Sequence, residues 1–164
     1  MRQFEVVTKV TEYTSDAELT AGDKSLLDKA REAADMAYAP YSQFRVGAAL
    51  LLENDMVVIG NNQENIAYPS GLCAERVAIF AAGANYPGVV IKSIAVCCKS
   101  DAHAIAEPLS PCGACRQAMA EYETRYGKPI RIILGGVSGP VHIIDSISSL
   151  LPLLFKSDAV KKAP

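Results

Sequence analysis

Two short cysteine-containing segments, far apart in the chain, place the strongest constraint on its fold. The first is Cys73-Ala74-Glu75-Arg76, and the second is Pro111-Cys112-Gly113-Ala114-Cys115. Cys112 and Cys115 have the Cys-x-x-Cys spacing at which two thiolates at the start of a helix bind one metal ion. A tetrahedral zinc site needs more ligands than this pair supplies. The two segments are therefore predicted to begin two helices whose N-termini converge, so that Cys73 completes the thiol group.

Glu75 makes this group of thiols suitable for catalysis. Three cysteines leave the fourth position of a zinc ion open for water, and Glu75 follows Cys73 closely enough to reach that position without ligating the metal. A carboxylate placed in this way can move a proton from the water to a substrate nitrogen. Zinc-dependent deaminases use this combination. The predicted cofactor is one Zn²⁺ per chain, held by Cys73, Cys112 and Cys115, with Glu75 as the general acid and base.

Two arginines directly follow residues of the predicted site. Three thiolates on one Zn²⁺ leave a net negative charge, which a nearby cation would offset. Arg76 follows Glu75, and Arg116 follows Cys115. Each is a candidate to donate hydrogen bonds to a ligand sulfur. An ordinary surface position remains the alternative for both.

A closed structural zinc site is the main alternative for the cysteines. It needs a fourth ligand, and Cys97, Cys98 and His103 are the available donors nearby in the sequence. Cys97 and Cys98 are adjacent within an apolar strand pattern, where cysteines are typically small core residues. His103 and His142 are interpreted as a loop and a strand histidine, because neither has a motif context.

Composition excludes several classes of protein. The net charge of -2, the absence of Trp and the lack of a basic run argue against nucleic-acid binding. The longest apolar runs, such as residues 46–52, are far too short to cross a membrane. Five cysteines, an odd number, with no apolar stretch after Met1, argue against a secreted disulfide scaffold. A cytoplasmic protein with a small-molecule substrate is predicted.

Apolar periodicity predicts alternating strands and helices. Helices are predicted over 21–37, 74–82, from Pro111 to Tyr126 and over 146–151, and strands over 46–52, 56–60, 91–98, 130–134 and 141–144. The second helix is predicted to end near Gly83, and Pro111 is predicted in the first turn of the third. Residues 1–14 are predicted to form a short strand or a loose arm.

These elements predict the fold class and the domain organisation. The fold class is α/β, with three α/β/α layers around a mixed central sheet of about five strands. One catalytic domain is predicted over 21–158, after an N-terminal extension of residues 1–20 and before a frayed tail of residues 159–164.

Further stretches of the chain resemble a known family. They are Tyr38-Ala39-Pro40-Tyr41-Ser42-Gln43-Phe44-Arg45-Val46-Gly47-Ala48-Ala49, Asn62-Gln63-Glu64-Asn65-Ile66-Ala67-Tyr68-Pro69 and Leu150-Leu151-Pro152-Leu153-Leu154-Phe155. With both cysteine segments, they make the chain similar to the small, single-domain cytidine deaminases that bind zinc through three cysteines. The resemblance spans most of the chain and implies a cytidine deaminase-like fold.

The resemblance also implies roles for individual residues. It supports Cys73, Cys112 and Cys115 as zinc ligands and Glu75 as the acid and base. It implies substrate binding by Phe44 against the pyrimidine, by Asn62 and Glu64 at the ribose hydroxyls, and by Ala74. It implies a homotetramer in which Tyr68 and Phe155 reach into or beside a neighbouring subunit's site. From composition alone, a solvated turn and a core aromatic residue are the simpler interpretations of Asn62, Glu64 and Phe44.

The expected activity is hydrolytic deamination of cytidine and deoxycytidine to uridine and deoxyuridine, with release of ammonia, in pyrimidine salvage. A blasticidin-type aminonucleoside deaminase is an alternative, because it is similar at both cysteine segments. A nucleic-acid cytosine deaminase and a non-catalytic zinc-binding module are two others. The acidic charge balance disfavours the nucleic-acid enzyme.

Overall fold

The computed structural model describes residues 1–100, 102, 105 and 107–155. Its strands are β1 (Thr11–Tyr13), β2 (Phe44–Leu52), β3 (Val57–Asn61), β4 (Ile91–Ser100), β5 (Arg131–Gly135) and β6 (Val141–Ile144). Its α-helices are α1 (Ala21–Asp35), α2 (Ala74–Asn85) and α3 (Gly113–Tyr126). Short 3-10 helices span Asp16–Glu18, Tyr68–Ser70 and Ile147–Leu150. The predicted domain end at residue 158 and the tail 159–164 lie outside the described residues.

The strands form one mixed sheet in the order β1-β6-β5-β4-β2-β3. β4 and β5 run parallel, and every other neighbouring pair is antiparallel. The prediction of about five strands is one strand short, because β1 pairs with the edge of β6, with Thr11 opposite Ile143. His142 of β6 is the predicted strand histidine, and its Nε2 lies 2.7 Å from Oε2 of Glu12. Residues 11–13 therefore cover a sheet edge that would otherwise be open.

Helices cover both faces of the sheet, which confirms the predicted α/β/α layers. Since side chains alternate along a strand, each central strand contributes to both faces. On one face, Leu27 and Ala30 of α1 pack with Ala49, Ala95 and Ile133. On the other face, residues of α2 and α3 share a core with side chains of β2, β4 and β5; examples are Ile79, Met119, Leu50, Ile94 and Ile132. None of the helices in the described part of the chain combines the length and apolarity that a bilayer crossing requires.

Two glycines let helices lie directly on the sheet. A Cβ atom at Gly47 in β2 would lie 2.0 Å from the carbonyl oxygen of Ala30 in α1. A Cβ atom at Gly60 in β3 would lie 2.5 Å from the backbone nitrogen of Ala78 in α2. Because Cys73 is the N-cap residue of α2, the close approach of α2 to β3 also determines how far Cys73 lies from the sheet.

The predicted helix boundaries differ from the structure at the end of α2 and at the start of α3. α2 does not end near Gly83 but continues to Asn85. A Cβ atom at Gly83 would lie 2.4 Å from the hydroxyl oxygen of Tyr122 in α3, so this glycine makes room for a helix contact. Pro111 does not occupy the first turn of α3, because Cys112 is the N-cap residue and Pro111 precedes it.

Glu123 ties the end of α3 to the C-terminal part of the fold. Its carboxylate accepts hydrogen bonds from the backbone nitrogens of Ile130 and Ile147, both at 2.9 Å, and from the hydroxyl of Ser146 at 2.6 Å. The hydroxyl of Ser148 donates to the same carboxylate at 2.5 Å. Burial alone would raise the pKa of Glu123, but these hydrogen bonds outweigh it and hold the pKa below its usual value.

We expect the contribution of Glu123 to stability to depend on pH. A carboxyl whose pKa is lowered by folding stabilises the protein above its unfolded pKa, and the contribution is lost as pH falls through the lower folded value. Glu123→Gln should therefore lower the free energy of unfolding by about 2 kcal/mol at pH 7. The difference from wild type should shrink below about pH 4.5. Thermal unfolding followed by circular dichroism at several pH values measures this, with Glu121→Gln, an exposed change on the same helix, as control. A difference that stays constant with pH would contradict the account.

Candidate metal centre and adjoining cavity

The structure brings the three predicted ligand cysteines together. Cys73 is the N-cap residue of α2, Cys112 is the N-cap residue of α3, and Cys115 lies in the first turn of α3. Their Sγ atoms all lie within 4.8 Å of one another, and Sγ of Cys73 is 4.0 Å from Sγ of Cys112. Tetrahedral zinc with bonds of about 2.3 Å separates its sulfur ligands by about 3.8 Å. The donor set and its spacing therefore fit one zinc ion.

The surroundings of the thiols favour the deprotonated form that a metal binds. Because Cys73 and Cys112 are the N-cap residues, their thiols lie at the positive ends of two helices. Neither side chain makes a capping hydrogen bond. The hydrogen bond from Cys115, with a further contribution from Arg76, lowers the pKa of the Cys73 thiol to about 5 in spite of its burial. The same hydrogen bond and burial raise the pKa of Cys115. Of these two hydrogen-bonded cysteines, Cys73 is thus the one that becomes a thiolate first.

The two candidate arginines are placed differently. Nη2 of Arg76 lies 3.9 Å from Sγ of Cys73, as expected of a cation that offsets thiolate charge. Arg116 makes no hydrogen bond to a sulfur among the described residues. It donates instead to the carbonyl oxygens of Pro111 and Leu150, both at 2.7 Å. Of the two alternatives for Arg116, the hydrogen bond to a ligand sulfur is not the one observed, because its guanidinium donates to these backbone carbonyls.

Glu75 lies beside the thiols in a buried position. It is only 4% exposed, although it is in the first turn of α2 next to an open cavity. Burial, and then the negative charge of the Cys73 thiolate, raise the pKa of the Glu75 carboxyl. A carboxyl with a raised pKa exchanges protons more readily near neutral pH, as a general acid and base must.

A cavity of about 830 Å³ opens next to the thiol group. Its volume lies within the range of small-molecule sites, about 300–1,000 Å³. Cys73, Cys112 and Glu75 line it, together with the predicted substrate-binding residues Phe44, Asn62, Glu64 and Tyr68. Residues from distant parts of the chain are thus gathered around one space.

Asn62 and Glu64 are held firmly at the cavity wall. The Asn62 side chain accepts from the backbone nitrogen of Val46 at 2.8 Å and donates to the carbonyl of Phe44 at 2.9 Å. The Glu64 carboxylate accepts from the backbone nitrogens of Tyr41 and Ser42 and from the Ser42 hydroxyl. The hydroxyl contact contributes most to lowering the pKa of Glu64. Both side chains therefore also organise the segment that carries Phe44.

Two predicted substrate-binding residues do not line the cavity. The side chain of Ala74 is fully buried in the core, so only its backbone could contact a substrate. Phe155 is 77% exposed and lies away from the cavity of its own chain. Its predicted role concerns a neighbouring subunit and stays a prediction.

Several residues that line the cavity were not predicted from the sequence. Val96 and Cys98 contribute side chains from β4, and the alternation of that strand could have placed both on one face. Tyr41 and Ser42 come from the loop before β2, and no local pattern indicates that they line the cavity. Tyr41 packs edge-on against Tyr68, with ring centroids 6.5 Å apart.

The described residues do not form a closed structural site. The metal-binding group found among them contains Cys73, Cys112 and Cys115 and no further ligand. Cys97 faces the α1 side of the sheet, and Cys98 faces the cavity side without joining the group. The third candidate donor, His103, lies outside the described residues.

Comparisons with known proteins agree with this geometry. Residues 20–127 match the family model described as the cytidine and deoxycytidylate deaminase zinc-binding region. The cytidine deaminase of Halalkalibacterium halodurans is 39% identical over 133 residues, which cover 81% of this chain and 93% of the relative. The cytidine deaminase of Sporosarcina psychrophila is 36% identical over 141 residues, covering 85% and 96%. The crystal structure of cytidine deaminase from Burkholderia pseudomallei superposes with a TM-score of 0.69 at 40% identity, covering 84% of this chain and 100% of that one.

Proposed function

Because the chain belongs to the family of zinc-binding cytidine and deoxycytidylate deaminases, we propose that it hydrolyses cytidine, and also deoxycytidine, to the uracil nucleoside and ammonia. The observation that carries this proposal is a group of three thiols next to a cavity that Cys73, Cys112 and the buried carboxyl of Glu75 line together. The cofactor is zinc, held by Cys73, Cys112 and Cys115. The enzyme is a hydrolase that breaks the bond between a carbon of the pyrimidine ring and its exocyclic amino nitrogen.

Glu75 performs the proton transfers of this reaction. When bound, zinc supplies a Lewis acid that acidifies a water molecule at its open position. Glu75 takes the proton from the water and gives it to ring nitrogen N3, next to the carbon that is attacked. As N3 is protonated, the water oxygen forms the C4–O bond. Glu75 then carries the proton of the new C4 hydroxyl to the exocyclic amine, so that the C4–N bond breaks, the C4=O carbonyl forms and ammonia leaves. The burial of Glu75 excludes bulk water from this route.

The free hydrogen-bonding capacity of Asn62 and Glu64 suits a ribose. A carboxylate offers about four lone-pair positions, and Glu64 uses three of them within the protein. Asn62 retains one N–H and one lone pair after its contacts with β2. A sugar hydroxyl can donate to the Glu64 carboxylate and accept from the remaining N–H of Asn62. Phe44 offers an aromatic face to the pyrimidine ring.

Glu64→Gln should weaken binding of nucleosides that carry the hydroxyl it contacts. We expect kcat/KM for cytidine to fall by about 10- to 100-fold, mainly through KM, because a hydrogen bond to a charged group is lost. Steady-state kinetics with cytidine, 2′-deoxycytidine and 3′-deoxycytidine measure this. The loss should be smallest for the substrate that lacks the contacted hydroxyl. An equal loss for all three would mean that Glu64 acts only by ordering the segment around Tyr41 and Ser42.

An aminonucleoside antibiotic is the alternative substrate that shares this zinc chemistry. Competition between cytidine and blasticidin tests the choice. We expect preferential turnover of cytidine, since the cavity presents Asn62 and Glu64 to a ribose. Preferential turnover of the antibiotic would overturn the proposed substrate but leave the zinc chemistry intact.

A homotetramer acting in cytoplasmic pyrimidine salvage completes the proposal. Tyr68 and Phe155 are 79% and 77% exposed, which is unusual for large aromatic side chains that no partner covers. Light scattering on the purified protein should give the mass of four chains, and Phe155→Ala should weaken the assembly. A wild-type protein that stays a single chain at micromolar concentration would contradict this part of the proposal.

A further inference from the structure

Among the three ligand cysteines, Cys112 is the one that packing fixes least. Cys115 is buried and Cys73 is partly buried, whereas Cys112 is exposed. Its side chain makes no capping hydrogen bond at the start of α3. A metal ligand needs neighbours that orient it, and for Cys112 these neighbours must act on its backbone.

Arg116 holds the backbone on both sides of Cys112. Its main-chain N–H donates to the carbonyl of Cys112 at 2.9 Å, as the first turn of a helix requires. Its side-chain Nε donates to the carbonyl of Pro111 at 2.7 Å. Since a peptide unit is planar, fixing the Pro111 carbonyl also fixes the N–H of Cys112 in the same plane. The φ of -66° and ψ of 163° at Cys112 are thereby set from both flanking carbonyls.

The guanidinium of Arg116 is anchored at a second point. Nη1 donates to the carbonyl of Leu150, at the end of the 3-10 helix Ile147–Leu150, at 2.7 Å. Glu123, further along α3, holds the same 3-10 helix through Ile147 and Ser148. The planar fork of an arginine can satisfy two such carbonyls in fixed directions, which an ammonium group cannot do.

Helix stability does not explain a cation at this position. Arg116 lies in the first turn of α3, where the helix dipole disfavours positive charge. The two carbonyl acceptors offset that cost.

We propose that Arg116 is a positioning residue for the metal site, which orients Cys112 by holding the Pro111 carbonyl against the anchored 3-10 helix. It acts through Cys112 and touches neither the metal nor the substrate. This inference rests on zinc binding by the three cysteines, which is part of the proposed function, but not on the identity of the substrate. A failure of Arg116 to affect zinc would therefore leave the proposed deamination untouched.

Arg116→Gln and Arg116→Lys in the full-length, zinc-loaded protein test the proposal. Both variants should release zinc to a chromophoric chelator about 10-fold faster than wild type, because loss of a group that orients a ligand typically costs 10- to 100-fold in metal affinity. Lysine keeps the charge but not the directed contacts, so it should not restore slow release. The visible spectrum of the cobalt-substituted protein should change in both variants, because the thiolate of Cys112 is less well oriented.

Two controls separate positioning from general stability. Arg125→Gln removes an arginine of the same helix whose guanidinium lies 4.7 Å from the ring centroid of Tyr122. Ile133→Val destabilises the core on the α1 face of the sheet, away from Pro111 and the 3-10 helix. Both should release zinc at the wild-type rate at temperatures where all variants are folded by circular dichroism.

Several outcomes would overturn the proposal. Wild-type release in Arg116→Lys would show that charge alone matters. Equally fast release in Ile133→Val would show that fold stability alone matters. If Arg116→Gln does not fold, Arg116→Lys, which retains the length and the charge, carries the same test.

Discussion

Replacing Glu75 by glutamine should lower kcat for cytidine by about 10³-fold while the protein retains one zinc ion per chain. Glutamine has the shape of glutamate but can neither accept the proton from water nor deliver it to the ring. Glu75 is 4% exposed, so no solvent base can readily take its place. The three cysteines are unchanged in this variant, and zinc binding should therefore persist. Loss of turnover with retained zinc separates proton transfer from metal binding.

The measurement is steady-state deamination together with metal analysis of the same sample. Glu53→Gln, the same substitution in the exposed turn between β2 and β3, is the matched control and should retain wild-type kcat. Substrate binding should also survive in Glu75→Gln, which a competitive nucleoside ligand can confirm by calorimetry. Full activity in Glu75→Gln would remove this residue from the mechanism. Loss of zinc from it would mean that Glu75 takes part in binding the metal.

Cys112→Ser should lose both zinc and activity. Removal of one of three protein ligands should weaken zinc binding by more than about 100-fold, since loss of a group that only orients a ligand already costs 10- to 100-fold. Cys112 is exposed, so serine at this position should leave the core intact. Metal analysis after dialysis against a weak chelator, followed by the deamination assay, gives both results on one sample.

Cys98→Ala is the matched control for this experiment. Cys98 is another cavity-lining thiol, contributed by β4, and it lies outside the group of three. The variant should keep one zinc ion per chain, with a modest loss of stability from the vacated space. Loss of zinc in Cys98→Ala would revive the closed structural site with a fourth cysteine ligand.

The sequence predicts the metal centre well because its determinants are local. Each cysteine segment begins a helix, and a helix start fixes where its first side chains point. The spacing within Cys112-x-x-Cys115 specifies two ligands, and Cys73 with Glu75 specifies the remainder. Bringing Cys73 to the pair requires only that two helix N-termini meet on one face of the sheet, as they do.

Local propensity fails where tertiary contacts decide the outcome. Glycine commonly ends a helix, yet α2 continues past Gly83, where the missing Cβ makes room for Tyr122 of α3. For the same reason, the sequence does not decide whether residues 1–14 form a strand or a loose arm. The strand Thr11–Tyr13 is short, and its pairing partner β6 lies far along the chain. Neither contact leaves a signature in the local sequence.

The contacts of residues around the predicted metal site also depend on tertiary structure that the local sequence does not indicate. The position of Arg116 directly after Cys115 favours a contact with sulfur, but its acceptors are carbonyls of Pro111 and Leu150. The second acceptor is 34 residues away, and only the folded chain brings it near. Asn62 likewise serves as a backbone partner of β2 as well as a predicted substrate residue.

Zinc-dependent turnover of cytidine by the full-length protein tests the central claim most directly. The decrease in ultraviolet absorbance that accompanies conversion of cytidine to uridine is followed while zinc is removed by chelation and then restored. We predict that activity follows zinc content and reaches its maximum at one ion per chain, with one ammonia released for each cytidine consumed. A protein that holds one zinc ion per chain without converting cytidine, or that converts cytidine equally well without zinc, would contradict the account.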